Sequence, residues 1–432
     1  MVYWPVPIDY HKAQMSTPDQ GSLALQAARS IGPGLITGAA DDDPSGIATY
    51  SQAGAAFGFG LLWTVVLTFP LMAAIQMISA RIGHVTGAGL TANIRRVFPA
   101  WFTFAIAGLL LIANTLNIAA DIAAMGEALQ LLIGGSDGLY AIGFGLFSLL
   151  LQVFVPYRSY VRWLKWLTLS LFTYVAVVFS LHVQWGSVAR SVMWPQLDLN
   201  HAALLMIVAV FGTTISPYLF FWQAGQEVED RSGRESPAQT LRQLRRIKLD
   251  TLIGMAVSNL VAFFIILCAA VTLHDAGITD IQTSAQAAEA LRPLAGPFTF
   301  LLFTLGIIGT GLLAVPVLAG SAAYAAAEAL GLRGSLSFRL ERGEGRGFYA
   351  IIALATLGGV ALSFTPSSAV AELFWAAVLN GLIAVPIMIV MMWVASREEV
   401  MGAYRIRGGL RLLGWLSTIL MTAAAAGLLR SF

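Results

Sequence analysis

Residues 37–50, TGAADDDPSGIATY, set three consecutive aspartates inside a run of apolar and small residues long enough to span a membrane. Charge in hydrocarbon is costly, so intramembrane carboxylates as a rule face an aqueous cavity or a substrate path. Pro44 and Gly46 follow at once, and proline interrupts the helical hydrogen-bond ladder. Irregular backbone at that depth is tolerated only where protein buries it or where it lines a cavity. The segment therefore reads as a cation site at an interrupted transmembrane helix. An ordinary short loop carrying Asp41 and Asp42 is the blander alternative. The apolar flanks 31–40 and 47–67 count against it.

Composition fixes the class. Of 432 residues, 57% are hydrophobic and 11% charged, with a mean hydropathy of +0.75. A soluble protein carries about 25% charged residues, so the chain is expected to be an all-α integral membrane protein. Its 42 glycines suit helices that approach closely in lipid. Cys268 is the lone cysteine, which excludes a disulfide framework and a thiolate metal site. The five histidines form no cluster, and no nucleophile or cofactor motif stands out, so neither an enzyme nor a cofactor is expected. Residues 1–30, polar and containing Pro5 and Pro18, read as a cytoplasmic tail rather than a signal peptide.

Apolar runs long enough to cross a bilayer fall at 31–58, 59–80, 101–133, 139–156, 162–183, 202–225, 249–274, 297–329, 349–364, 369–394 and 408–428. This predicts eleven spans, the joins at 58/59 and 364/369 being weakest. With the N-terminus cytoplasmic, all of the 25 Lys and Arg except Arg190, Arg292 and Arg430 lie on the inner side. That bias follows the positive-inside rule and places the C-terminus outside. Membrane topology thus accounts for the basic loops, and no nucleic-acid partner is expected. The connection 226–248 reads as a cytoplasmic loop ending in a surface helix, and 274–295 as an external segment with a short helix.

The sixth span holds a second break. In VFGTTISPYLFF, Pro217 sits mid-span with Gly212, Thr213, Thr214 and Ser216 before it. A simple proline kink would explain it in isolation. Paired with the first break, it points to a transporter built from inverted repeats with its site at their interface. The carbonyl ends of half-helices facing such a gap favour a cation.

At these residues the chain resembles the NRAMP family of divalent metal transporters. GPGLITGAADDDPSGIATYSQAGAAFGFGLLW at 32–63 is similar to the family's first-helix region, and GTTISPYLFFWQA at 212–224 to its sixth helix. The resemblance implies a LeuT-like fold of eleven helices, two inverted five-helix repeats plus one extra helix, with helices 1 and 6 interrupted. On that layout residues 31–394 form the transporter domain, its repeats at 31–183 and 202–394, and 408–428 is the additional helix. It also implies that one chain suffices and that its partners are a divalent ion and the bilayer. The setting is then a bacterial inner membrane.

The resemblance carries over residue by residue, with departures. Asp43 and Pro44 match the motif Asp-Pro, so Asp43 inherits the metal-ligating carboxylate. Gly46 stands where the family has Asn and brings no side-chain ligand. Pro217 matches the sixth-helix proline, Ser216 replaces the usual Met and Tyr218 the usual His, while the family's backbone-carbonyl ligand falls on Thr213. A thioether favours soft transition metals, whereas hydroxyl, carboxylate and carbonyl suit magnesium, calcium and manganese. With Asp41 and Asp42 in reach, directly or through water, the expectation is Mg2+, with Mn2+ close behind. A divergent bacterial branch of magnesium transporters in the family is similar in kind.

Coupling to protons is expected to be weak or absent. The family's two third-helix acids align with Ala120 and Ala123, and Asp121 points about 100° away. An inside-negative potential would supply a divalent ion with roughly 4.6 kcal/mol per 100 mV. A proton-coupled Mn2+ symporter of the usual family kind is the alternative, and a symporter of another substrate on the same fold a further one. Asn114 and Asn117 share a helix face and either help hold a hydrated ion or bridge helices. Asn380 in the tenth span could approach the site or simply pack beside Gly381. Glu227 and Glu229 are expected to pair with Arg231 and Arg234.

Overall fold

In a computed structural model, the structure describes residues 33–431 except 157–158, 160–165, 196–199, 232, 234, 339–343 and 366. The N-terminal tail expected over 1–30 lies outside the described residues, as does Arg234. The described chain is helical throughout. The first aspartate segment divides α1 (Pro33–Asp41) from α2 (Pro44–Phe57). There follow α3 (Leu62–Thr86), α4 (Ala100–Ile133), α5 (Asp137–Phe154), α6 (Phe172–Ser180) and α7 (Trp185–Met193). The second break separates α8 (His201–Thr214) from α9 (Pro217–Glu229). The rest comprises α10 (Pro237–Ala269), α11 (Thr299–Leu330), α12 (Arg346–Leu362), α13 (Ala369–Ser396) and α14 (Gly408–Arg430).

Both breaks have the same local cause. Pro44 and Pro217 occupy the first helical position after the gap, where a missing N–H costs nothing and the fixed φ starts a new helix. A continuous helix through either would lose an N–H bond and clash with the preceding turn.

The count of eleven spans does not hold. Among the described residues eight helical segments are long and apolar enough to cross a membrane, or nine if the bent pair is one span. Three differences account for this. Residues 31–58 and 59–80 are not separated by a loop: α2 passes through a 3-10 turn at Gly58–Leu61 into α3, and Pro44–Thr86 is one run of 43 residues. The run 162–183 holds, where described, Leu169–Ser180, which pairs with the following Trp185–Met193 across a bend of 116°. Hydropathy averages over such a bend. Finally, α12 has 17 residues, short of the ~20 that a bilayer core requires. The surface helix expected before residue 248 is not separate either. It starts at a Ser236–Gln239 capping box and runs unbroken into α10.

Small residues bring the broken helices against their neighbours. A Cβ added to Gly38 of α1 would lie 2.3 Å from the Gly254 carbonyl carbon of α10, and one on Gly212 of α8 2.0 Å from Ala377 O of α13. Lipid tails are as apolar as leucine, so close backbone packing, not hydrophobic burial, drives such contacts. α10 therefore backs α1 and α2, while α4 and α11 pack together on another side.

Candidate functional site

The two breaks meet inside the protein. Asp41, Asp42 and Asp43 are 0%, 5% and 2% exposed, so the acidic segment is sealed from solvent. Asp43 is the N-cap of α2 and collects donors on both oxygens. Oδ1 accepts from Gly46 N at 2.8 Å and Ser45 Oγ at 2.6 Å. Oδ2 accepts from Asn117 Nδ2 of α4 at 3.1 Å and, at 3.4 Å, from the Tyr218 hydroxyl of α9. Tyr218 also donates to Ala40 O at 3.0 Å. Three donors thus serve the carboxylate in full, and the single Tyr218 hydrogen is shared between it and Ala40 O, the nearer of the two.

Sequence reasoning named ten residues, and the structure assembles most of them. Asp43, Asn117 and Tyr218 are bonded together across three helices. Gly46 takes part through its N–H, and its Cα faces the second break: an added Cβ would sit 3.1 Å from Thr213 Oγ1. The Thr213 carbonyl, together with that of Gly212, accepts the Ser216 hydroxyl at 2.8 and 2.9 Å. Ser216 thus closes the end of α8. Asp41 and Asp42 both face Ser258 of α10, whose Oγ lies 2.7 Å from Asp41 Oδ2 and 3.0 Å from Asp42 Oδ1.

Asn114 and Asn380 are not drawn in. Asn114 donates to Leu318 O at 2.8 Å and Ser321 Oγ at 2.7 Å, bridging α4 to α11. Asn380 is buried with an unpartnered Nδ2, and no hydrogen bond ties it to either break. At the end of α9, Glu227 pairs with Arg246 at 3.4 Å, and Glu229 accepts from the Tyr324 hydroxyl and from Leu336 N; the expected partner Arg234 lies outside the described residues.

Several residues at the breaks escaped the sequence. Ser258 lies 216 residues from Asp42. Its only signal was the polar pair Ser258–Asn259 in an apolar helix. Tyr50, fully buried, carries a hydroxyl that makes no hydrogen bond of ordinary geometry. Asp121, one helical repeat from Asn117, is fully buried with neither oxygen bonded, within electrostatic reach of Asp43. The oxygens left without a partner here are Asp41 Oδ1, Asn117 Oδ1 and both of Asp121, while the Tyr50 and Thr213 hydroxyls face each other more loosely than an ordinary hydrogen bond. Among the described residues no three His, Cys, Asp or Glu side chains converge as a metal-binding group. Any ion held here needs hydroxyl, amide, carbonyl or water oxygens besides carboxylates.

An all-helical membrane protein with a sealed polar centre where two helices break has the architecture of a secondary transporter. The chain belongs to the Nramp family: the model of the natural resistance-associated macrophage protein-like family matches residues 34–431. It is 27% identical over 411 residues to the divalent metal cation transporter MntH of Verminephrobacter eiseniae, covering 92% of this chain and 88% of that one. A relative of the same name from Acidiphilium cryptum is 27% identical over 396 residues, covering 87% and 84%. Among solved structures, the Eremococcus coleocola manganese transporter superposes with a TM-score of 0.78 at 16% identity, covering 98% of this chain and 91% of that one. Inward-facing Mhp1 superposes with a TM-score of 0.54 at 13% identity, covering 93% and 92%. These likenesses define an all-α, LeuT-like fold and a transporter, not an enzyme.

Proposed function

We infer that the chain moves a divalent metal cation across a bacterial inner membrane by alternating access, with Mn2+ as its first cargo. The observation that carries this reading is the all-oxygen donor set at the two breaks, with Asp43 and Asn117 at its centre. Carboxylate, carbonyl and water suit manganese, magnesium and calcium. The names of the relatives favour manganese among these. Asp43 is the ligand, with Asn117 Oδ1 and the Thr213 oxygens in reach; the ion displaces the two longest contacts to Asp43, those of Asn117 and Tyr218.

A second reading, magnesium, is favoured by two specific features. Ser216 offers no thioether, and the donors already on Asp43 from Ser45, Gly46 and Asn117 favour an ion held through its own waters. Magnesium keeps several waters when bound.

Coupling to protons is supported by Asp121. Its register sets it off the relay positions, yet it shares a face with Asn117 and is fully buried within electrostatic reach of Asp43. The deciding experiment is uptake into proteoliposomes of Mn2+, Mg2+, Ca2+ and Zn2+, each alone and in competition. Saturable Mn2+ uptake that Mg2+ fails to compete supports the first reading, and the reverse supports the second. Equal permeability of protein-free and protein-containing vesicles to all four would end both.

A further inference from the structure

The bend of 116° after Ser180 turns α7 away from the direction of the segment before it. A helix turned that far from a crossing segment lies nearer the membrane plane than its normal. Trp185 packs at the corner on Phe179 of α6, ring centroids 5.7 Å apart. On its inner side α7 buries Val188 and packs against α3 and the Gly58–Leu61 turn that ends α2. Its other side carries a groove of about 410 Å³ lined by Gly186, Ala189, Arg190, Met193 and Trp194. These positions recur every three or four residues and so share one face. A Cβ added to Gly186 would meet no atom within 4 Å, so the groove is open there. Met193 and Trp194 are 70% and 76% exposed.

Arg190 sets the chemistry of this face. It is one of the three basic residues that depart from the one-sided distribution along the chain. Arg292, another of them, is paired with Glu289 at 2.8 Å. Among the described residues Arg190 has no carboxylate within ion-pair distance, and its guanidinium donates no hydrogen bond. Arginine matches phosphate in both charge and fork geometry. Helices that lie in the interface combine such a cation with aromatic and aliphatic side chains.

We propose that this face of α7 binds an anionic phospholipid, with the Arg190 guanidinium on the phosphate and an acyl chain along Gly186, Ala189 and Met193. Trp194 then stands at headgroup level, where tryptophan is favoured. Free phosphate would leave the apolar walls uncovered, so the occupant is the lipid. Through the Gly58–Leu61 turn the site adjoins α2, the half-helix that Asp43 caps. The inference rests on the membrane setting of the chain and not on which metal it carries.

The test is to titrate the purified full chain in detergent with phosphatidylglycerol and with phosphatidylcholine, counting bound lipids by native mass spectrometry. Arg190→Gln is expected to weaken the tightest phosphatidylglycerol by about fivefold, the worth of one arginine at an anionic membrane surface. Phosphatidylcholine binding stays as in the wild type. Gly186→Leu keeps the charge and fills the groove, and it weakens phosphatidylglycerol to a similar extent. Both positions are exposed, so neither change disturbs the packed core. Arg430→Gln, which removes another arginine of the same sequence-level exception, leaves lipid binding unchanged. Excess inorganic phosphate displaces no lipid. Identical phosphatidylglycerol titrations of the wild type and Arg190→Gln, or of the wild type and Gly186→Leu, overturn the site. So does an equal loss in Arg430→Gln, which would reduce the effect to net charge, or displacement of the lipid by inorganic phosphate.

Discussion

The hydroxyl of Tyr218 donates to the carbonyl of Ala40 at 3.0 Å, joining the last turn of α1 to the first turn of α9. That carbonyl ends a helix and has no partner along it. The two breaks are therefore bonded to each other, and movement of either half-helix has to part this contact.

Tyr218→Phe leaves the Ala40 carbonyl buried without a donor. The expected cost is about 1–3 kcal/mol of stability, read as a lower midpoint of thermal unfolding in detergent. Mn2+ affinity changes little, because the lost contact to Asp43 is its longest. An unchanged midpoint would show that the bond contributes nothing to holding the breaks together.

Asp43→Ala removes the proposed ligand and the N-cap of α2 together. Uptake is expected to fall by at least about tenfold, and stability by about 1 kcal/mol from the lost cap. Uptake assays paired with thermal unfolding separate the two effects. Wild-type uptake by this variant would contradict the site.

Ser216→Met brings a thioether to the break and removes the hydroxyl from Gly212 O and Thr213 O. Selectivity is expected to move from Mg2+ toward Mn2+ and Cd2+, since soft sulfur favours the softer ions. Competition between Mg2+ and Cd2+ measures the change. An unaltered ratio in a variant that still transports would show that residue 216 does not touch the ion.

Asp121→Asn tests coupling. Mn2+ uptake by the wild type is expected to acidify the lumen of vesicles loaded with a pH-sensitive dye, and the variant is expected to carry Mn2+ without acidification. A wild type that moves Mn2+ with no lumenal pH change would return the chain to uncoupled, potential-driven uptake.

Asp250 of α10 accepts the Gly34 amide at 2.8 Å, a carboxylate on the N-terminus of α1. Asp250→Ala is expected to loosen that seat by about 1 kcal/mol. Hydrogen exchange over residues 33–41 reports it as a rate rise of several-fold, about what that energy implies. Unchanged exchange would place the anchor of α1 elsewhere, for instance at the Gly38–Gly254 crossing.

The sequence by itself determined that this is a helical membrane protein and where its helices break. Composition sets the solvent, and Pro44 and Pro217 act on the backbone within a turn of themselves, so both effects are local. It also marked the aspartate cluster, since carboxylates in an apolar run are costly, and singled out Asp43 only through the resemblance of Asp43–Pro44 to the family's motif. The number of crossings was not local in this sense. Gly58 turns the chain between α2 and α3 without a loop, and the 116° bend after Ser180 leaves no trace in hydropathy. Tertiary structure alone decided which polar groups share the centre. Asn117 and Asn114 lie three residues apart on one helix, yet one reaches Asp43 and the other is spent on α11. Ser258 and Asp121 became parts of the polar centre only when α10 and α4 packed against the breaks. A hydrogen bond extends about 3 Å, and no pattern along the chain states which distant helix will come within that distance.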